Sequence, residues 1–238
     1  MKISIIVPCY NEAAGIPQLK DRLPPVMRSL EKSHNVELIF VDDGSTDNTN
    51  ELLRKSFVGE NIKIIKHAQN MNLGAALRTG FLAADGEIIV TMDSDCTYAP
   101  ENIPKLLTAL KDCDIVTASP YHPQGKVIGA PAYRLFLSKS VTLLYSIVTG
   151  KRLYTWTALF RVYRRSAISS ITITHNDFIA VVEILIKSIK NGNKIKELPE
   201  TLYGRKFGTS KMKIIRTIIA HLKFLLESIK VAHFQNVK

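Results

Sequence analysis

Two carboxylates separated by a single residue follow an apolar run near the middle of the chain. Residues 87–90 read E-I-I-V, and the T-M-D-S-D that follows places Asp93 and Asp95 just beyond this run. Two like charges this close raise each other's pKa unless a positive charge lies between them. Because Mg²⁺ and Mn²⁺ prefer hard carboxylate oxygens, the pair is a candidate metal site. A polar loop that caps a helix is the alternative interpretation.

A second acidic pair, Asp42 and Asp43, follows the apolar stretch V-E-L-I-F-V at 36–41. Ionised carboxylates only accept hydrogen bonds, so this pair could bind ribose hydroxyls or the N–H groups of a base. A turn rich in Asp, Gly and Ser needs no ligand, however, and is the alternative here.

The predicted strands and helices that would position these side chains alternate along the chain. Polar turns at residues 46–48 could cap a helix, and Pro24-Pro25 should interrupt or kink the first helix. Strands are predicted at 2–8, 36–41, 61–66, 87–92 and 114–118, and helices at 16–33, after residue 48, at 72–84 and at 103–110. Such alternation predicts an α/β fold with a mostly parallel sheet, in which ligands bind beyond the carboxyl ends of the strands. The acidic pairs should therefore meet at one edge.

Composition and charge exclude several classes of protein. The chain has 238 residues, enough for one large domain or at most two. Its cysteines, Cys9, Cys96 and Cys113, are too few and too scattered for a disulfide scaffold or a zinc site. No G-x-G-x-x-G follows the first strand and no P-loop pattern occurs, which argues against dinucleotide and P-loop sites. The net charge of +11 indicates an anionic partner.

Several motifs in a fixed order resemble one family. They are I-V-P-C-Y-N-E at 6–12, V-D-D-G-S-T-D at 41–47, N-L-G-A-A-L-R-T-G-F at 72–81, M-D-S-D at 92–95, Y-R-L-F-L-S-K at 133–139, F-R-V-Y-R-R at 160–165, V-E-I-L-I-K at 182–187 and R-K-F-G-T-S-K at 205–211. Together they resemble the inverting family 2 glycosyltransferases of the GT-A fold. More narrowly, they resemble the dolichyl- or polyprenyl-phosphate sugar synthases.

The resemblance implies a fold, an activity and a cofactor. The fold would be α/β and Rossmann-like, with a mostly parallel mixed sheet flanked by helices. The activity would be the transfer of a mannose- or glucose-type hexose from a nucleotide sugar to a polyprenyl phosphate, with Mg²⁺ or Mn²⁺ as cofactor.

The resemblance also implies roles for individual residues. The nucleotide sugar would contact Pro8, Tyr10, Asn11, Glu12, Asp42, Asp43, Asp93, Arg205 and Lys211. The acceptor phosphate would contact Arg134, Ser138 and Ser210. The metal would be held by Asp93, Asp95 and Thr97, and catalysis would involve Asp95, Arg134 and Glu183. Thr97 stands where the synthases usually carry a Gln ligand, with water as the alternative, and Glu183 could instead be a structural residue of an amphipathic helix.

The C-terminal stretch combines apolar residues at helical spacing with regularly placed cations. We expect a basic amphipathic helix over residues 212–238, after a glycosyltransferase domain at 1–211, and such a helix could lie on a membrane surface. Packing in an ordinary core is the alternative. Since no stretch reads as a signal peptide or a spanning helix, the predicted location is peripheral, on the cytoplasmic face of a membrane. A membrane-anchoring protein would be a further partner.

Two other functions remain open from the sequence. The same fold could act on a saccharide or protein acceptor, whose hydroxyl would need a general base such as Asp or Glu. More remotely, a non-catalytic basic module could bind nucleic acid or membrane. We expect no nucleic acid partner, because the basic residues are not interleaved with aromatic side chains that could stack on bases.

Overall fold

The protein's structure, a computed structural model, describes residues 1–58, 61–208 and 214–235. The strands are β1 (Lys2–Cys9), β2 (Asn35–Asp42), β3 (Ile62–Lys66), β4 (Ile88–Thr91), β5 (Ile115–Ser119), β6 (Lys126–Ile128), β7 (Arg161–Arg164), β8 (Ile195–Pro199) and β9 (Thr201–Tyr203). The helices are α1 (Ile16–Glu31), α2 (Thr49–Ser56), α3 (Leu73–Ala83), α4 (Ile103–Ala109), α5 (Ala132–Thr149), α6 (Arg165–Ser169), α7 (Ile179–Lys190) and α8 (Ile214–Gln235).

One sheet organises this part of the chain. Its strand order is β3-β2-β1-β4-β7-β5-β8, and the strands pair in parallel except for β7, which runs antiparallel between β4 and β5. A small second sheet pairs β6 with β9. The predicted mostly parallel mixed sheet flanked by helices is thereby confirmed.

The central strands are apolar on both faces, as parallel strands covered by helices must be. On β1, Ile3, Ile5 and Val7 belong to the core on one side of the sheet, while Ile6 belongs to the core on the other. Trp156 is fully buried in that second core. The long apolar runs of the sequence are therefore explained by packing on two sides.

Helix α1 runs through Pro24 and Pro25 instead of being interrupted there. Each proline removes a backbone donor and normally weakens a helix interior. The apolar side of α1 compensates, because Leu19, Leu23 and Met27 are completely buried. Tertiary packing thus decides the length of this helix.

Helices α5 and α8 lie against each other on one side of the molecule. The hydroxyl of Tyr145 lies 2.9 Å from Nδ1 of His221, and the ring of Tyr145 also contacts Phe224. In the described ranges, no helix combines the length and the hydropathy that crossing a bilayer requires.

Candidate functional site

The candidate site lies at the carboxyl edge of the central strands. β1 ends at Cys9 and β2 at Asp42, and these two residues pair in the parallel register. Thr91 at the end of β4 pairs with Ile6 of β1. The loops after these strands therefore leave the sheet at the same edge, where they border a cleft of about 940 Å³.

The cleft collects most of the residues predicted for the donor and metal sites. Those that line it are Pro8, Tyr10, Glu12, Asp43, Asp93, Asp95, Thr97 and Arg205. Asn11, Asp42 and Glu183 are not among its lining residues. Ser138 lines a neighbouring cavity of about 270 Å³. Ser210, Lys211 and the side chain of Arg134, which belongs to α5, lie outside the described part of the structure.

The loop after β4 is held in a tight shape. Thr97 donates to Oδ1 of Asp95 through its backbone N–H at 3.0 Å and its hydroxyl at 2.8 Å. Cys96 between them has φ of 53°, an uncommon backbone conformation for a residue other than glycine. Its carbonyl accepts from Arg22, which also pairs with both carboxylate oxygens of Glu101. The orientation of Asp95 is thus fixed by its own loop and by α1.

Arg205 joins the loop after β4 to the end of β1. Its Nε donates to Oδ2 of Asp95 at 2.8 Å, and its Nη2 donates to Oε1 of Glu12 at 2.8 Å. Glu12 is buried, and its backbone N–H donates to the hydroxyl of Thr49. A guanidinium that bridges two largely buried carboxylates offsets part of their mutual repulsion.

Acidic side chains are concentrated in the described part of this cleft. Burial and then the charge of Asp95 raise the pKa of Asp93 to about 7, although Arg205 acts in the opposite direction and Glu12 adds to the rise. Among the described residues, the carboxylates of Glu12, Asp93 and Asp95 lie around the guanidinium of Arg205. Such a site favours an additional cation.

The residues present fit a divalent metal ion. Within the described ranges, no three His, Cys, Asp or Glu side chains are grouped to hold a metal by themselves. Mg²⁺, however, often binds through one or two carboxylates and completes its shell with phosphate oxygens and water. Asp93 and Asp95 suit that mode. The Thr97 hydroxyl donates to Asp95 and keeps the lone pairs of its oxygen, so it could bind the same metal without losing this hydrogen bond.

Asp43 is the acidic residue of the β2 turn that reaches the cleft. Its Oδ1 accepts from the backbone N–H of Met71 at 2.9 Å and lies 2.7 Å from Nδ1 of His67. Because a carboxylate only accepts, Nδ1 carries the proton. The other ring nitrogen of His67 lies 2.9 Å from the hydroxyl of Thr79. These contacts fix the carboxylate through Oδ1, and Oδ2 is the atom suited to a ligand.

Asp42 and Asn11 shape the loops behind the cleft. Asp42 is fully buried, and its Oδ1 accepts from the backbone N–H of Ser45. Asn11 has φ of 52°, and its side-chain oxygen accepts from the backbone N–H of Thr46 at 2.8 Å and of Asp47 at 3.3 Å. Asp42 therefore stabilises its own turn, and Asn11 ties that turn to the end of β1; both roles are structural.

Glu183 is fully buried away from the cleft lining. Its carboxylate accepts from the backbone N–H groups of Thr174 and His175 and pairs with Lys187. Burial alone raises the pKa of Glu183, but the hydrogen bonds from Lys187 and Thr174 outweigh it and hold the pKa at about 2. This placement favours the structural alternative, in which Glu183 anchors the segment before its own helix.

That segment forms a wall of the cleft and is held from two further directions. Arg78 donates to the carbonyls of Ile173 at 3.3 Å and His175 at 3.1 Å. The backbone N–H of Gly74, at the start of α3, donates to the carbonyl of Asn176 at 2.6 Å. These bonds support Asp177, a cleft residue whose Oδ1 accepts from the backbone N–H of Ile179 at 3.0 Å.

Sequence reasoning did not identify several cleft residues. They are Asn70, Asn72, Asp177, Phe178, Tyr203 and Arg216. The sequence carried a signal for two of them. Asn72 directly precedes the apolar helix α3, and Asp177 lies just before the apolar helix α7. Polar residues at such helix starts in an α/β fold face the carboxyl edge of the sheet. Tyr203 comes from β9, which the sequence pattern did not predict. Arg216 comes from α8, whose helix was predicted but whose place beside the cleft was not.

The fold and the site together define an α/β protein with an acidic cleft at a strand-end edge. A solved structure of glucosyl-3-phosphoglycerate synthase from Mycobacterium tuberculosis, with Mn²⁺, UDP and glucosyl-3-phosphoglycerate, is similar with a TM-score of 0.72 at 20% identity. The match covers 94% of this chain and 79% of that one. At this identity the likeness establishes the GT-A-like fold.

Residues 4–172 match the profile of glycosyl transferase family 2, and the chain belongs to that family. It is 32% identical over 233 residues to a dolichol-phosphate mannosyltransferase of Pyrococcus furiosus. It is 31% identical over 222 residues to an undecaprenyl-phosphate 4-deoxy-4-formamido-L-arabinose transferase of Salmonella choleraesuis. The matches cover 97% and 91% of this chain, which spans 64% of the length of each relative.

Proposed function

We propose that this chain transfers a mannose- or glucose-type hexose from a nucleotide sugar to a polyprenyl phosphate in a metal-dependent inverting reaction. The observation that carries the proposal is the cluster of Glu12, Asp93, Asp95 and Arg205 at the strand-end cleft. Relatives named as transferases that use dolichol phosphate and undecaprenyl phosphate support the acceptor class.

On the donor side, each cleft residue has a distinct task. Asp43 would accept from a base N–H or a ribose hydroxyl, in the orientation fixed by His67 and Met71. Mg²⁺ or Mn²⁺ bound by Asp93 and Asp95 would stabilise the charge that develops on the leaving diphosphate. Pro8 and Tyr10 would line the nucleotide, and Lys211 would contact its phosphates.

On the acceptor side, a phosphate is already an anionic nucleophile, so it needs alignment and desolvation but no base. The cavity beside the cleft suits the group next to that phosphate. Its lining is largely apolar, and Ser138 lies 3.2 Å from the hydroxyl of Thr157 within it. We assign Ser138 to the acceptor phosphate, with Arg134 and Ser210 as further predicted contacts.

A lipid acceptor must be reached at a membrane, and two helices next to the cleft offer a surface for it. Residues at helical spacing on α8 expose large apolar side chains, and α5 has a similar stripe. They are Phe136, Leu143 and Ile147 on α5, and Ile215, Ile219, Leu222 and Leu226 on α8. Exposed cations such as Lys139, Arg216 and Lys223 accompany them. We propose that this face binds an anionic membrane surface.

Three earlier expectations stay predictions. They are action at the cytoplasmic face of a membrane, a membrane-anchoring partner protein, and a functional boundary between residues 211 and 212.

A saccharide hydroxyl acceptor remains the second candidate because Asp177 lines the cleft. Its Oδ1 accepts from the backbone N–H of Ile179, so Oδ2 is the oxygen that could take a proton from an acceptor. Such a group could serve as the base that a hydroxyl nucleophile requires. The two candidate functions therefore make opposite predictions for the activity of a variant that lacks the Asp177 carboxylate.

The test is transfer of labelled sugar from a panel of nucleotide sugars to polyprenyl phosphate, with Mn²⁺ or Mg²⁺ present. The proposal predicts label in the lipid extract and its loss in Asp95→Asn. It also predicts that Asp177→Asn keeps the rate within about tenfold, whereas loss of a general base lowers rates by about 10²–10⁴. Label appearing only on saccharide acceptors, with Asp177→Asn inactive, would establish the second candidate instead.

A further inference from the structure

Both carboxylate oxygens of Asp95 already have partners within the cleft. Thr97 donates to Oδ1 through its N–H and its hydroxyl, and Arg205 donates to Oδ2 at 2.8 Å. A divalent cation that binds Asp95 through Oδ2 would share this oxygen with the guanidinium. Because a guanidinium and a metal ion are both positive, they also repel each other at this oxygen.

The two partners of Asp95 differ in how readily they can leave. Thr97 is only two residues away, and its backbone N–H is fixed by the turn at Cys96. Arg205 reaches Asp95 from 110 residues away in sequence. Its chain segment is anchored just before it, where the N–H groups of Tyr203 and Gly204 donate to the carbonyls of Thr97 and Ile128. The Arg205 side chain can therefore rotate while its segment stays attached to the metal loop.

A second site for the guanidinium is close by. Arg205 is also paired with Glu12, and both residues line the cleft in which the donor's diphosphate would lie. Arginine matches phosphate oxygens as well as carboxylates, because its planar fork donates in pairs. A guanidinium displaced from Asp95 would find phosphate oxygens without leaving Glu12.

We propose that Arg205 and the divalent cation compete for Oδ2 of Asp95, and that the diphosphate resolves this competition by taking over the guanidinium. The inference rests on the proposed function, because it assumes the metal and the nucleotide sugar. Metal alone should then bind weakly. Metal and nucleotide should each strengthen the binding of the other, as linked ligands must.

A general charge effect has to be separated from direct competition. Removing any nearby cation makes the cleft more negative and attracts metal ions. Lys206 provides the matched control, because it is the next residue, carries the same charge, is exposed and does not line the cleft. Arg205→Gln and Lys206→Gln therefore change the net charge equally, and only the first frees Asp95.

The experiment is calorimetric titration of Mn²⁺ into the metal-stripped full chain without nucleotide. Arg205→Gln should tighten Mn²⁺ binding by about tenfold, the equivalent of one charge-assisted hydrogen bond. Lys206→Gln should change it by less than about twofold. Arg205→Lys should fall between these values. Equal effects of the two Gln variants, a weaker affinity in Arg205→Gln, or no binding by any variant would overturn the proposal.

A second titration tests the transfer of the guanidinium. UDP and GDP are added in separate runs, and the gain in Mn²⁺ affinity is compared between the chains. The unchanged protein should show a gain with the nucleotide that it binds, and Arg205→Gln should lose most of it. An equal gain in Mn²⁺ affinity in both chains would reject the proposal. The proposed function would still stand, because the transfer of labelled sugar to lipid tests it separately. Thermal unfolding of each variant confirms that it is folded.

Discussion

At the scale of single residues, the acidic side chains at the strand ends have different tasks because they have different partners. Asp42 stabilises a turn, Asp43 is oriented by His67, and Asp95 is shared between Thr97 and Arg205. The sequence could place all of them at one edge of the sheet. It could not separate the turn residue from the cleft residue, since His67 and Arg205 are 24 and 110 residues distant from their partners.

Replacing Asp43 should impair binding of the donor more than the chemical step. Asp43→Asn removes an acceptor that touches only the base or ribose, so it should raise KM for the nucleotide sugar by about tenfold or more with little change in kcat. His67→Gln should raise KM by a smaller factor, because it only loosens the orientation of Asp43. Steady-state kinetics with saturating acceptor measures both. A lowered kcat with unchanged KM would contradict these assignments.

Glu183 should contribute to stability in a pH-dependent way. Its pKa of about 2 lies below the ordinary value of 4.5, so its stabilising effect is complete above the unfolded-state value and is lost as pH falls between them. Glu183→Gln should lower the free energy of unfolding by about 2 kcal/mol near pH 7.

Urea unfolding at about pH 7 and about pH 3 checks this, and the difference between the two chains should shrink in acid. A difference that is independent of pH would show that the charge of Glu183 is unimportant. If Glu183→Gln folds, any change in its rate of sugar transfer to lipid would come from a displaced cleft wall and not from the loss of a reacting group.

At the scale of elements, the first five strands and the intervening helices were predictable because each has a clear apolar run and a polar or proline terminator. Observed bounds for β1, β2 and β4 lie within a residue of the predicted ones. The later strands were not predicted. β6 and β9 have three residues each, and β7 inserts antiparallel between strands that come before it in sequence. Such short strands are stabilised by the strands that they pair with, so their own sequences carry little signal.

The contact between α3 and the cleft wall should be intolerant of a single methyl group. A Cβ at Gly74 would lie 2.2 Å from the carbonyl oxygen of His175 and 2.7 Å from Cβ of Ala180. Gly74→Ala should therefore destabilise the protein by about 2–3 kcal/mol. Chemical unfolding gives the value.

Gly15→Ala is the control, because its Cβ would meet no atom closer than 3.6 Å. This variant should change stability by less than about 1 kcal/mol. Equal stability of Gly74→Ala and the unchanged protein would mean that the α3 start and residues 175–176 are not in close contact.

At the scale of the whole molecule, α5 and α8 combine two functions. Leu135, Arg216, Thr217 and Ala220 line the cleft, while other residues on the same helices expose apolar stripes. An acceptor whose phosphate reacts in the cleft and whose chain lies in lipid would require this adjacency. The sequence indicated the apolar character of α8, but its pairing with α5 came only from the structure.

Membrane binding should depend on these stripes and on anionic lipid. A double variant, Phe136→Ser with Ile147→Ser, removes side chains that are 72% and 68% exposed. Partition into vesicles of phosphatidylcholine and phosphatidylglycerol should fall by about tenfold or more. Cosedimentation measures it, and pure phosphatidylcholine should bind less of the unchanged protein.

Leu82→Ser provides the matched control, because Leu82 is 87% exposed on α3. It should leave partition unaltered. A loss of binding equal to that of the double variant would show that apolar exposure in general, and not this face, is responsible.

The most direct test of the central claim, that strand-end carboxylates hold a metal and a nucleoside diphosphate in one cleft, is calorimetric binding of UDP and GDP with and without Mn²⁺. One of these nucleotides should bind tightly only with the metal, and Asp95→Asn should abolish this dependence. Equal binding with and without Mn²⁺, unchanged in Asp95→Asn, would contradict it.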